Sequence, residues 1–215
     1  MKKPSSVTRA LKLGVTAGLL AAGSGVAMGA CGPDTVFAPN EDYALTFKIC
    51  DNSFVGTVTA KASGWVAVGF SRNIYMPGSD VFMAGVRADG TAYGNDAFAY
   101  MRSPPVVDAS QDVTLLGAAE ANGVTSYSFS RPLKTGDTAD FDLTDGPYYL
   151  LWAFNQTSDS LTSRHSSAAA SDLTYQFAPV PEASTLLMLL AGLGLLAGRR
   201  LRRDGGLNAP TPELR

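Results

Sequence analysis

The sequence predicts an all-β protein, an antiparallel sandwich or barrel, on three observations. Turn signals recur roughly every 8–12 residues through the middle of the chain, short strand-like runs lie between them, and residues 31–180 show no sustained helical period. The runs are 43–49, 53–61, 65–70, 80–87, 96–101, 112–118, 124–131, 148–154 and 172–177. Alternation of apolar and polar residues is plain in Ala44-Leu45-Thr46-Phe47-Lys48-Ile49 and in Thr125-Ser126-Tyr127-Ser128-Phe129-Ser130, as a half-buried strand requires. Gly64, Pro77-Gly78, Asp89-Gly90, Pro104-Pro105, Asn122-Gly123, Gly136-Asp137 and Gly146-Pro147 punctuate the runs. There is no internal repeat, and the one low-complexity stretch is 166–171.

Charge divides the chain into three. Of 215 residues with a formal net charge of −2, the first thirty hold four cations and no carboxylate. Residues 181–215 hold five arginines against Glu182, Asp204 and Glu213. The middle, 31–180, keeps eight cations against sixteen carboxylates. An acidic body of this kind repels phosphate, which excludes nucleic acid as a partner. Its length suits one hydrophobic core, and 46% hydrophobic residues argue against disorder.

The first segment reads as a secretory signal peptide, 1–30. Lys2, Lys3, Arg9 and Lys12 precede a short apolar run, and the small residues Ala27, Gly29 and Ala30 end it, with cleavage expected near Ala30. At the other end, Val180-Pro181-Glu182-Ala183-Ser184 leads into an apolar run from Thr185 to Gly198, closed by Arg199-Arg200-Leu201-Arg202-Arg203. This resembles the PEP-CTERM sorting signal processed by exosortases, assigned to 179–203, with a short polar tail at 204–215. Ala183 departs from the second proline more usual in that signal, and the tail is longer than usual. Physically, the apolar segment enters a bilayer as a helix and the arginines hold its end at the cytoplasmic side. Without the resemblance, the same pattern is a single-pass transmembrane anchor. Either reading makes the middle domain exported: periplasmic or at the cell surface, membrane-anchored at least transiently.

Cys31 and Cys50 then lie in an oxidising compartment, where two thiols pair. The loop so closed contributes about 3 kcal/mol by the chain-entropy estimate. The alternative is lipidation of Cys31, which follows Gly29-Ala30, although Met28 suits a lipoprotein signal poorly.

Four blocks carry a resemblance for the domain, 31–178. They are Gly64-Trp65-Val66-Ala67-Val68-Gly69-Phe70-Ser71; Met76-Pro77-Gly78-Ser79-Asp80-Val81; Ser128-Phe129-Ser130-Arg131-Pro132-Leu133 with Thr135-Gly136-Asp137; and Tyr149-Leu150-Leu151-Trp152-Ala153-Phe154 followed by His165-Ser166. In this order they resemble the DOMON domain, which implies an immunoglobulin-like β-sandwich. Some DOMON domains bind haem b as cytochromes, like the cytochrome part of cellobiose dehydrogenase. Others lack haem and bind sugars or act as interaction modules.

His165 is the only histidine. Copper and zinc sites generally recruit several histidines or cysteines, and this chain cannot supply them. No C-x-x-C-H haem attachment and no G-x-S-x-G nucleophile elbow is present in the domain. One histidine does suffice for a haem b iron with a methionine opposite. Met83 sits mid-strand and reads as core filler, Met101 ends a strand, and Met76 lies in a loop before Pro77-Gly78. The resemblance puts Met76 and His165 at the places of the axial ligands. Arg72, Arg164 and Tyr75 are nearest in sequence for the propionates. Trp65, Phe70, Tyr75, Phe82, Tyr100, Trp152 and Phe154 are candidate walls, with strand alternation sending several into the core and both tryptophans reading as structural.

The leading expectation is therefore a b-type cytochrome domain that carries single electrons and is not an enzyme. Its acidic surface suits a basic redox partner protein. The alternative is a haem-free module binding extracellular polysaccharide, with Tyr148-Tyr149 or Asp140-Phe141-Asp142 as contacts, or a purely structural surface protein.

Overall fold

The computed structural model describes residues 30–181 together with 189, 190 and 192–194. Its strands, in chain order, are β1 (Thr35–Asn40), β2 (Tyr43–Cys50), β3 (Ser53–Ala60), β4 (Val66–Ser71), β5 (Ser79–Val86), β6 (Ala92–Ala99), β7 (Val106–Val107), β8 (Thr114–Ala121), β9 (Val124–Pro132), β10 (Tyr148–Phe154) and β11 (Ser167–Tyr175). They form two sheets, ordered β1-β2-β3-β9-β8 and β11-β10-β4-β5-β6-β7, with antiparallel neighbours throughout. The fold is an immunoglobulin-like antiparallel β-sandwich, as expected.

The expected runs match β2, β3, β4, β5, β9 and β10 to within one residue. The others need correction: β8 starts at Thr114 and ends at Ala121, two and three residues later than the expected run. β6 begins at Ala92, four residues before the expected run. Its first half contains Gly94. A Cβ there would stand 2.7 Å from Phe82 Cζ in the neighbouring strand. β11 begins inside the small-residue stretch read as low complexity, and β1 and β7 were not expected at all. All three lie at sheet edges, where one side of the strand is unpaired and the apolar pattern fades.

The core is the inner face of both sheets. β9 alternates half-buried and buried residues almost to its end, sending Thr125, Tyr127, Phe129 and Arg131 inward. Phe54 is the hub of an aromatic cluster, with ring centroids 4.8 Å from Phe47, 5.2 Å from Phe70, 5.5 Å from Phe177 and 5.7 Å from Phe129. Phe70, Phe82, Trp152 and Phe154 all belong to this core, which removes them as walls of an external site. Cys31 and Cys50 are disulfide-bonded, tying the start of the domain to the end of β2.

The signal segment, apart from Ala30, lies outside the described residues, as does most of the sorting segment. Among the described residues no helix is long and apolar enough to cross a membrane.

Candidate functional site

In a two-layer sandwich a strand normally buries one face only. β4 and β5 are buried on both, apart from the last residue of β5. Their inner residues face the core; their outer residues must be covered by something else. Two loops do this, one at each end of β4.

The register defines the outer face. One row runs Ala97, Val81, Gly69, Leu151, Ala170 across β6, β5, β4, β10 and β11. The next runs Asn95, Met83, Ala67, Ala153, Ala168. The floor is thus small and apolar over most of its width. At Gly69 a Cβ would come within 2.7 Å of Val81 Cγ1, so the row is already closed there.

Beyond these rows, Ser71 and Ser79 stand opposite each other. Their hydroxyls turn the β4–β5 loop, 72–78, onto the same face. Ser71 Oγ accepts from the Asn73 N–H at 3.3 Å and donates to the Tyr75 carbonyl at 3.4 Å, and Ser79 Oγ donates to the Met76 carbonyl. Gly78 leaves the loop at φ +79°, a conformation that glycine adopts without a Cβ penalty. Met76, half-buried, is carried by this loop.

The other end of β4 is covered by the β10–β11 loop. Trp65, just before β4, donates its N–H to the Ser158 carbonyl and accepts from the Asn155 N–H. Leu161 packs against a small outer cluster of Trp65, Ala67, Met83 and Tyr93, and Tyr93 donates its hydroxyl proton to Asp159 at 3.1 Å. Met83 is therefore buried as expected, but in this outer cluster and not in the main core. Trp152 belongs to the main core and Trp65 to the outer cluster.

His165 lies at the neck of this loop. The residue before it, Arg164, gives its carbonyl to the Asn155 side-chain amide at 2.7 Å. The residue after it, Ser166, donates its N–H to the Phe154 carbonyl at 2.8 Å. The imidazole pKa is lowered by burial and by the Arg164 charge, which favours the neutral ring with a free lone pair. β4 spans roughly 17 Å at ~3.3 Å per residue, and the loops bearing Met76 and His165 adjoin its two ends.

The remaining sequence-predicted residues fare differently. Tyr75 is exposed, and so is Arg164. Arg72 is engaged at the β10 side, 3.4 Å from Asp145 and stacked 4.2 Å over the Tyr148 ring. Tyr148 is fully buried, and both oxygens of Asp140 are buried as well, so neither residue is available as a sugar contact. Two hollows, one against β2 and β3 and one of about 470 Å³ between β1 and β11, lie away from Met76 and His165.

The sequence reading passed over a charged cluster between the sheets. Arg131 Nη2 contacts Asp80 Oδ2 at 2.6 Å and Asp140 Oδ2 at 3.7 Å, all three side chains being buried. Asp96 adds a third carboxylate, and one oxygen from each acid lies within 4.8 Å of the others. Burial and the neighbouring carboxylates push Asp96 up to about 8. Burial also raises Asp80, to about 6, with Arg131 opposing it. Asp80 and Arg131 sit at alternating inward positions of their strands, a signal legible in hindsight. Asn155, which organises the His165 loop, carries the weaker signal of an amide residue at a strand end.

A five-plus-six-stranded sandwich with two loops closing over the larger sheet is the architecture of a module that presents loop residues on a rigid β scaffold. The chain belongs to the DOMON family, whose domain matches residues 39–155, and it also carries the PEP-CTERM protein-sorting motif at 179–203. It is 36% identical over 120 residues to DBH-like monooxygenase protein 1 of Mus musculus, covering 56% of this chain and 19% of that one. It is 33% identical over 94 residues to DBH-like monooxygenase protein 2 of Mus musculus, covering 44% of this chain and 15% of that one. The match thus spans less than a fifth of the length of these two relatives. Among solved structures, the cytochrome b domain of pyranose dehydrogenase from Coprinopsis cinerea shares the fold. Its TM-score is 0.50 at 20% identity, covering 66% of this chain and 81% of that one.

Proposed function

We propose that the domain is an exported cytochrome module that holds haem b between Met76 and His165 and passes single electrons. The observation that carries this is a floor of small side chains flanked by two loops at the two ends of β4, one bearing Met76 and the other the only histidine. The donor set fits the group: one thioether and one neutral imidazole suffice for a low-spin haem iron. Held by these two side chains, the group would supply reversible one-electron chemistry. The chain's own part is to fix the two ligands. Ser71 and Ser79 hold the backbone of the Met76 loop, and Asn155 holds the backbone before His165. Tyr75 and Arg164, both exposed, remain the nearest groups for the propionates, whereas Arg72 would have to leave Asp145 and Tyr148.

The names of the mouse relatives contain a monooxygenase, but the match covers a small part of each. The reading adopted is a carrier and not an enzyme. The sorting motif supports exosortase as the processing partner and membrane anchoring in transit. A redox protein as electron partner belongs to the same reading. Titration of the purified full chain with haem tests it. A Soret band that saturates at one equivalent, with sharp α and β bands on reduction, is the expected result. A chain that stays colourless overturns it and returns the haem-free binding module to first place.

A further inference from the structure

One end of the sandwich exposes four large apolar side chains on two adjacent segments. Ile74 is 52% exposed and Tyr75 57% exposed on the β4–β5 loop; Tyr100 is 59% exposed and Met101 63% exposed just after β6. The two segments are joined by the Gly78 N–H bonded to the Ala99 carbonyl at 2.7 Å. Of the two arginines in these segments, Arg72 is paired with Asp145.

The chain leaves the domain at this same end. Val180 donates its N–H to the Asp51 carbonyl in the β2–β3 turn. The first residues of β3 pair with the last of β9, Phe54 opposite Arg131, and Arg131 reaches Asp80 beside Ser79. Phe177 packs edge-on against Phe70, the penultimate residue of β4. Four residues, 181–184, then separate the domain from the apolar run of the sorting motif. Fully extended they reach about 14 Å. The domain is therefore held close to the outer surface of whatever bilayer that run enters, with this end turned toward it.

We propose that the domain rests on the lipid bilayer by this end, with Ile74, Tyr75, Tyr100 and Met101 in the headgroup layer. Tyrosine suits that layer because its ring is apolar and its hydroxyl stays wet. Met76 follows Tyr75 on the same loop, which would place the Met76 side of the candidate haem site toward the membrane.

The test needs no haem, so its failure is separable from failure of the cytochrome reading. The full chain is placed in nanodiscs of phosphatidylcholine and phosphatidylglycerol. Nitroxides are attached singly at Ile74→Cys, at Met101→Cys, and at Asp89→Cys in the β5–β6 turn at the opposite end. Collision with oxygen is compared with collision with a water-soluble nickel chelate. Labels at 74 and 101 should be several-fold less accessible to nickel than the label at 89, and richer in oxygen contact. Three equally aqueous labels would overturn the proposal, whether the domain tumbles freely or needs a protein on this face. A second measurement avoids new cysteines. Amide exchange across 72–78 and 100–105 should be slower in the unsubstituted chain than in one carrying Tyr75→Asp and Met101→Asp, both in nanodiscs. Equal exchange would also overturn it.

Discussion

Asn155 uses both polar atoms of its side chain on the loop that ends in His165. Its amide donates to the Arg164 carbonyl, and its carbonyl oxygen accepts from the Thr157 and Ser158 N–H groups at 3.1 and 2.8 Å. Asn155→Ala strands these backbone groups, and the cost should be roughly 1–3 kcal/mol. A thermal melt checks that figure, and haem retention in the same variant should fall because the backbone before His165 is freed. A second residue-scale prediction concerns Asp96, which faces Asp80 on β5, Arg131 on β9, Asp140 in the β9–β10 loop, and Asp108 and Asp112 before β8. Its pKa in the folded protein, about 8, lies above the ordinary aspartate value of 3.8. The folded state therefore holds the extra proton between those two values, and stability falls as pH rises through that window. The melting temperature should drop by at least about 5 °C between pH 5 and pH 8.5. Asp96→Asn should flatten much of that slope; an unchanged slope would assign the pH dependence to other groups.

At the scale of elements, the cover over the outer face depends on close backbone approach. Gly64 precedes β4, and a Cβ there would stand 2.5 Å from the Ser158 backbone nitrogen and oxygen, with no flexible side chain to yield. Gly64→Ala should therefore cost about 1–3 kcal/mol, as overpacking does, and should loosen the β10–β11 loop. Faster amide exchange across 155–166 with little change in β2 and β3 is the expected signature; uniform loosening would mean the loop is not a separate unit. This part of the architecture was hard to read in the sequence. Alternation identified strands with one wet face, such as β9, almost to the residue. It could not say that β4 and β5 are covered twice, because a continuous apolar run fits a buried strand whatever covers it. Gly64 read as a turn marker, although its role is packing.

For the whole molecule, the sandwich, the disulfide and the sorting motif were legible because each has a local signal: turn spacing, two cysteines outside the cytoplasm, and an apolar run ending in arginines. The Asp80, Asp96, Asp140 and Arg131 cluster was not, because it joins residues far apart in sequence across the interior. Met76 and His165 fall between these cases. Each was singled out by type and by resemblance, while the structure adds that their loops adjoin the two ends of β4. The measurement that tests this most directly is the reduced visible spectrum of the haem-loaded full chain beside its Met76→Ala and Met101→Ala variants. The account predicts that Met76→Ala converts the iron to high spin or lowers haem affinity at least about tenfold, a loss of roughly 1.4 kcal/mol, while Met101→Ala keeps the sharp low-spin bands. Equal spectra for all three proteins would contradict it.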